Sequence, residues 1–168
     1  QGYIGEASKQ SMAHVILMVA SDGKNMELAN KFAQMADELG HTTDCLDLMA
    51  MNWPLYTNEK ANSGFELENI ADVVERLDAA DAWIAIAPEY NGSIPPTLNN
   101  TIAWLSKQGS NFRALFSGRK VGLATHSGGG GNRLIMAMLS QFNYLGSDVL
   151  GRTLISTDSK AANPDAIK

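Results

Sequence analysis

The chain has 168 residues, of which 45% are hydrophobic and 18% charged, and its formal net charge is −5 at pH 7. This length suits one domain with a full core, and the balance fits a compact α/β protein rather than a disordered chain. The acidic balance and the lack of a basic run argue against a nucleic-acid partner. Since no apolar run approaches the roughly 18 residues of a membrane-spanning helix, no membrane partner is expected.

Cys45 is the single cysteine, so an intramolecular disulfide cannot form and a reducing, cytoplasmic location is expected. Residues 1–11 are polar and lack the apolar centre of a secretion signal. We expect this segment to be disordered or vector-derived, with Met12 as a candidate native start. Residues 12–168 are expected to form one domain.

Apolar runs alternate with helical patterns along the chain. Residues 14–20 and 82–87 are apolar almost throughout, which is typical of strands buried on both faces of a parallel sheet. The pattern predicts further strands at 42–48, 120–125 and 148–155, and four amphipathic helices between the strands. Five strands alternating with four helices predict a doubly wound parallel sheet. Only a short helix could follow Pro164, so either one face of the sheet is partly open or the chain is cut short.

A polar loop follows the central strand. Pro88 cannot donate to a sheet ladder, so the strand should end near it. Asn91 and Gly92 both tolerate positive φ and predict a tight turn. Pro95 and Pro96 then stand where a helix starts, because a missing N–H costs little there. Such a loop lies at the carboxyl end of a buried strand, where open α/β sheets bind their ligands.

The eight residues of this loop read Pro-Glu-Tyr-Asn-Gly-Ser-Ile-Pro. They resemble the signature of the NADPH-dependent FMN reductases, a family of the flavodoxin-like superfamily. Pro96 and Asn99 replace a Gly and a Lys that the family usually has, and the resemblance extends over about residues 14–155. The match continues at Leu98, Asn100 and Trp104. The alternative, an ordinary strand–turn–helix junction, is outweighed by eight consecutive matches.

This resemblance implies a flavodoxin-like three-layer sandwich with a five-stranded parallel sheet of order 2-1-3-4-5. It also implies that the signature loop runs along the isoalloxazine ring of FMN. The expected ring-binding residues are Pro88, Glu89, Tyr90, Asn91 and Gly92. Glu89 is expected to orient the loop, since a single carboxylate does not define acid–base catalysis.

The first strand–helix loop is the candidate phosphate site. The free N–H groups and positive end of the following helix would attract a phosphate, helped by Ser21 and Lys24, while Gly23 allows close approach. Asn25 is a further candidate. The family usually has a longer loop here, whereas this one resembles the tight loops of flavodoxins. A short loop holds one phosphate, which favours FMN over FAD. The alternative is a helix cap made by Ser21 or Asn25.

A glycine run follows the fourth strand. Ser127, Gly128 and Gly129 could turn several N–H groups toward the pyrimidine edge of a flavin, although a flexible loop is the alternative. His126, just before this run, is interpreted as a polar core residue rather than a base. His14 and His41 have no partners at metal-ligand spacing, so no metal site is expected.

The family resemblance also implies a homodimer or homotetramer. The segment around Trp53 resembles one that often borders the active site or the subunit contact in the family. Trp53 and Trp104 are therefore candidate contacts, with ordinary packing as the alternative.

The expected function is that of an NAD(P)H-dependent oxidoreductase, with NADPH favoured. Bound FMN would reduce a flavin, a quinone or another small acceptor. No nucleophile–His–acid pattern is visible and no catalytic side chain is assigned, because a flavin supplies the redox chemistry itself. The alternatives are a flavodoxin-like electron carrier, which the modest charge and the signature disfavour, and a flavin-binding protein without catalysis.

Overall fold

A computed structural model describes residues 11–111 and 113–168. The expectation for residues 1–11 therefore falls almost wholly outside the described residues. The described residues form one parallel sheet, in the order β2-β1-β3-β4-β5, with β6 also paired to β4. The predicted strand order is confirmed. The strands are β1 (His14–Val19), β2 (Thr42–Asp47), β3 (Ala82–Ile86), β4 (Lys120–His126), β5 (Asp148–Val149) and β6 (Leu154–Ser156).

In the described residues, four long helices alternate with the strands, as the sequence predicts. They are α1 (Lys24–Glu38), α4 (Ile70–Ala79), α5 (Pro96–Leu105) and α6 (Asn132–Leu145). The same part of the chain has three shorter helices, α2 (Leu48–Met51), α3 (Asn58–Asn62) and α7 (Pro164–Ile167). The sequence pattern anticipated α7 but neither α2 nor α3, because a helix of one turn carries too little periodicity to detect.

The sheet separates two hydrophobic cores, which makes the architecture a three-layer sandwich. Ile16 and Met18 of β1 belong to the core under α4, α5 and α6. Leu17 and Val19 of the same strand belong to the core under α1. Because alternate side chains of a strand point to opposite faces, only an apolar run without interruption can fill both cores. This packing explains the continuous hydrophobic stretch at residues 14–20.

The predicted fifth strand at 148–155 is wrong as a continuous element. Lys120 of β4 pairs with Asp148, whereas Ala124 pairs with Leu154, so the edge segment holds two extra residues over this span. The excess lies between β5 and β6, where Gly151 and Arg152 are exposed. An edge position tolerates such a bulge because only one neighbouring strand must be matched.

The face covered by α1 stays partly open. Helix α7 lies on this face, and a cleft of about 340 Å³ remains beside it, lined among others by Phe32, Ile84, Leu154 and Ile167. The expected short helix is thus present. Among the residues that the structure describes, no helix has the length and apolar character required to cross a membrane.

Candidate functional site

Three loops meet at the carboxyl edge of the sheet. They follow β1, β3 and β4, which are neighbours in the sheet and run parallel. The chain leaves β1 toward α1 on one face, and leaves β3 toward α5 on the other face. Adjacent loops that depart to opposite faces leave a crevice between them, which is the usual ligand site of a doubly wound sheet.

The loop after β1 exposes the amino-terminal end of α1. Gly23, the residue before the helix, has φ 72° and ψ −128°, a conformation that a side chain strongly disfavours. Its side-chain position is open, with no atom within 4 Å of an added Cβ. Within the described ranges, the N–H groups of Asp22, Gly23 and Lys24 donate to no protein acceptor. This end of the helix therefore offers free donors and room for an anion.

Of the side chains predicted to bind the phosphate, Lys24 is exposed and Ser21 and Asn25 are buried. Lys24 is 60% exposed, and its ammonium lies 3.1 Å from the Glu27 carboxylate. Ser21 and Asn25 are both buried. The Asn25 Nδ2 group lies 3.3 Å from the Ser21 hydroxyl. Lys24 is therefore accessible to a ligand, whereas Asn25 faces the protein.

Asn25 connects the first loop to the end of β4. Its Nδ2 donates to the His126 carbonyl at 3.1 Å, and its Oδ1 accepts from the His126 N–H at 2.8 Å. Both ends of the side-chain amide are thus bonded to main chain 101 residues away. Asn25 holds the loop in place and has little capacity left for direct contact with a phosphate.

The signature loop contains a tight turn. Tyr90 and Ser93 exchange two main-chain hydrogen bonds of 3.1 and 3.0 Å. Between them, Asn91 and Gly92 have φ of 52° and 73°. Two central residues with positive φ define a type I′ turn, as the Asn-Gly pair predicts. The turn is covered on one side by Arg133, because a Cβ added to Gly92 would lie 3.2 Å from the Arg133 Cδ.

The glycine loop after β4 is a second group of free donors. Ser127 is buried and donates its N–H to the Ser156 carbonyl at 3.1 Å. The N–H groups of Gly128 and Gly129 have no acceptor in the parts of the chain that are described. The loop closes at Gly131, where φ is 71° and α6 begins.

Glu89 links the signature loop to the glycine loop. Its Oε2 accepts from the Leu134 N–H at 3.1 Å, in the first turn of α6. This bond replaces a cap that Gly131 cannot supply, because the residue before α6 has no side chain. The other oxygen, Oε1, lies 3.4 Å from the position of a Cβ on Gly129. The sequence marked Glu89 as orienting the loop, but no local signal identifies a partner 45 residues away.

The sequence did not reveal the role of Asn100. Its Oδ1 accepts from the Tyr56 N–H at 2.8 Å, and its Nδ2 donates to the carbonyls of Trp53 and Pro54. Trp104 donates to the same Pro54 carbonyl at 2.7 Å. Together these bonds attach the segment after α2 to helix α5. A cleft of about 270 Å³ lies between the two, lined by Leu48, Met49, Asn52, Trp53, Leu55, Pro96, Thr97, Asn100 and Thr101.

Trp104 packs within its own chain, which is the alternative to the subunit contact considered from the sequence. It is 3% exposed and packs edge-on against Tyr56, with ring centroids 5.2 Å apart. A side chain already buried in its own chain has no surface to offer a second subunit. Trp53 is half-buried and donates to the Glu68 carbonyl at 3.2 Å.

A Ser–His–Asp row that the sequence did not suggest joins β4 to β6. The His126 ring lies 3.1 Å from the Ser156 hydroxyl and 3.2 Å from the Asp158 carboxylate. Ser156 is only 2% exposed, and its hydroxyl also lies 3.3 Å from the Thr125 carbonyl. Because a substrate cannot reach this hydroxyl, the row is a structural link, and His126 is a partly buried residue within it. The described residues contain no cluster of three or more potential metal ligands.

Within the described part of the chain, the displaced pKa values belong to residues of β2 and α4. The Arg76 guanidinium bonds both oxygens of Asp44, at 2.7 and 2.9 Å, and this hydrogen bonding lowers the pKa of the carboxyl. Desolvation raises the pKa of the Cys45 thiol, and the carboxylates of Asp47 and Asp44 raise it further. A thiol with a raised pKa is a poor nucleophile at neutral pH.

The doubly wound sheet, its strand order and the crevice at its carboxyl edge define a flavodoxin-like fold. The family assignment is narrower. Residues 13–161 match the family model described as NADPH-dependent FMN reductase. The chain belongs to this family.

Individual relatives agree with this assignment. An FMN-dependent NADH:quinone oxidoreductase of Brevibacillus brevis is 30% identical over 127 residues, which are 63% of this chain and 61% of that protein. The flavoenzyme FerB of Paracoccus denitrificans, an NAD(P)H:(acceptor) oxidoreductase, has a TM-score of 0.70 at 22% identity, covering 83% of this chain and 76% of its own. An NAD(P)H:quinone oxidoreductase of Methanothermobacter marburgensis has a TM-score of 0.67 at 21% identity, covering 94% and 89%. The structural likeness supports the fold.

Proposed function

We propose that this protein binds FMN at the carboxyl edge of the sheet and uses it to pass electrons from NAD(P)H to a small acceptor. The observation that carries the proposal is that three loops converge at this edge. Two of the loops present free N–H groups, and side-chain hydrogen bonds connect neighbouring loops. Asn25 makes one connection and Glu89 the other. Family membership supports FMN as the ligand of this edge.

The loop after β1 would hold the FMN phosphate. The free N–H groups from Asp22 to Lys24 and the positive end of α1 suit a dianion. Gly23 would let the main chain approach closely, and Lys24 would add a positive charge at the rim. Ser21 and Asn25 would act mainly from behind the loop, since both are buried and lie within hydrogen-bonding distance of each other.

The other two loops would hold the flavin ring. Residues 88–92 would lie along one edge, with the Asn91–Gly92 turn against the ring. Ser127, Gly128 and Gly129 would face the pyrimidine side, where the free N–H groups of Gly128 and Gly129 would stabilise the negative charge that a flavin gains on reduction. Bound FMN supplies the chemistry by accepting a hydride from NADPH or NADH and passing two electrons to the acceptor. The protein's part is to bind, orient and exclude water, which requires no side-chain base.

Flavins and quinones are the proposed acceptors. The cleft between the segment after α2 and helix α5 adjoins the signature loop, because its lining includes Pro96, the residue that follows this loop. Its lining combines apolar side chains such as Met49 and Leu55 with the exposed amide of Asn52. A flat ring with polar oxygens at its edge fits such a surface. The Brevibacillus relative is named for quinone, which supports this choice of acceptor.

We also propose a cytoplasmic homodimer, with a homotetramer as the larger alternative. Large apolar side chains are exposed close to the three loops, with Leu55 at 72%, Tyr90 at 50% and Met136 at 63%. Such side chains near a ligand site favour coverage by a second subunit. A single reduced cysteine supports the cytoplasm. Light scattering at micromolar concentration checks the assembly, and a monomer would exclude it.

The test of FMN binding is direct. The purified protein, mixed with FMN and passed over a desalting column, should keep the flavin absorbance bands. Denaturation should then release one FMN per chain, identified as FMN rather than FAD by chromatography. If protein mixed with tens of micromolar FMN retains no flavin after the column, the proposal is refuted.

A further inference from the structure

The carboxylate of Glu89 lies between the two loops that would face the flavin ring. It stands on the signature loop, receives the Leu134 N–H at 3.1 Å, and approaches Gly129 with its second oxygen. The hydrogen bond joins the signature loop to the first turn of α6, which directly follows the glycine loop, and so fixes the position of one loop relative to the other. The residue is neither fully buried nor exposed, so water screens its charge incompletely.

No cation of the described residues neutralises the Glu89 carboxylate directly. Among the described residues it forms no ion pair, although Arg133 lies nearby against the Gly92 turn. Its favourable partner is the amino-terminal end of α6, whose dipole corresponds to roughly half a positive charge. The dipole therefore offsets only part of the negative charge of Glu89.

We propose that Glu89 is a positioning residue for both flavin-facing loops and that its charge holds bound FMN at a low reduction potential. The inference rests on the proposed function, because it concerns the flavin of that site. Reduction adds negative charge to the flavin, and a carboxylate nearby opposes that change. At an effective dielectric constant of about 20, two unit charges about 10 Å apart still interact strongly enough to shift the reduction equilibrium roughly tenfold.

Two substitutions separate the position from the charge. Glu89→Gln keeps an oxygen that can accept from the Leu134 N–H but removes the charge. We expect its affinity for oxidised FMN to stay within about threefold of wild type, because the hydrogen bond between the loops is retained. Its two-electron midpoint potential should rise by about 30 mV, the equivalent of a tenfold shift in the equilibrium. Glu89→Ala removes both functions and should weaken FMN binding about tenfold.

The measurement is a potentiometric titration of the FMN-loaded wild type, both variants, and Glu75→Gln as a charge control. Glu75 is exposed on α4, so this control changes the net charge equally without touching the loops. A potential that rises in Glu89→Gln but not in Glu75→Gln supports the proposal. Equal potentials in Glu89→Gln and wild type overturn the electrostatic part, and loss of FMN from Glu89→Gln overturns the positioning part. Failure of the wild type itself to bind FMN would instead refute the proposed function.

Discussion

Gly131 provides the sharpest test of how the edge is built. It adopts φ 71° at the start of α6, and a Cβ added there would lie 2.5 Å from the Thr125 methyl group. Thr125 cannot easily rotate away, because its hydroxyl donates to the Ala87 carbonyl at 2.6 Å and the residue is fully buried. Gly131→Ala should therefore suffer both backbone strain and a collision.

The two costs can be estimated separately. A non-glycine residue in the left-handed region costs about 1–2 kcal/mol. Forcing one extra methyl group into a packed site costs about 1–3 kcal/mol. Gly130→Ala is the matched control, because Gly130 has φ 96° but no atom within 4 Å of an added Cβ. The free energy of unfolding should thus fall by about 2–5 kcal/mol in Gly131→Ala but only by about 1–2 kcal/mol in Gly130→Ala.

Urea unfolding of the flavin-free proteins measures this difference without interference from ligand binding. Thr125→Ser removes the methyl group and keeps the hydroxyl, so adding it to Gly131→Ala should recover most of the collision cost. A double-mutant cycle then isolates the contact. Equal losses in Gly130→Ala and Gly131→Ala, or no recovery by Thr125→Ser, would refute the reasoning.

Three other changes test separate contacts. Lys24→Glu should weaken FMN binding at least about fivefold by charge reversal beside the phosphate; unchanged affinity in a fluorescence titration would remove Lys24 from the site. Asn25→Ala leaves the His126 N–H and carbonyl unpaired and should cost about 2–4 kcal/mol in urea unfolding, and a loss below about 0.5 kcal/mol would contradict the connection. Arg76 lowers the pKa of Asp44, so this ion pair stabilises the fold fully at pH values above 3.8, the ordinary pKa of an Asp side chain. The stabilisation is lost as the pH falls through the lowered pKa of Asp44. Asp44→Asn should therefore flatten the acid side of the stability curve, whereas an unchanged slope would exclude the linkage.

The sheet could be predicted from the sequence because its strands have two buried faces. In a chain of this composition, an uninterrupted apolar run such as residues 14–20 indicates a strand of a parallel sheet. The interruption between β5 and β6 could not be predicted, because this segment lies at the edge of the sheet. An edge segment pairs with one neighbour, so its bulge follows from the register with β4 rather than from its own residues.

The loops of the site could be located, but not the contacts between them. The Asn91–Gly92 turn follows from local backbone preferences, and the structure has it. Asn25 and Glu89 instead bond to main-chain groups 101 and 45 residues away. Pairings over such distances depend on the folded sheet, and the sequence showed only that polar side chains stand at strand ends.

Anaerobic stopped-flow mixing of the FMN-loaded protein with NADPH, and separately with NADH, tests the central claim most directly. The absorbance of oxidised flavin should bleach rapidly with at least one nucleotide, and a quinone added afterwards should restore it. The family model is named for NADPH and the Brevibacillus relative for NADH, so the ratio of the two rates gives the preference. Flavin that stays oxidised with both nucleotides, yet is reduced by a partner reductase, would show an electron carrier and contradict the account.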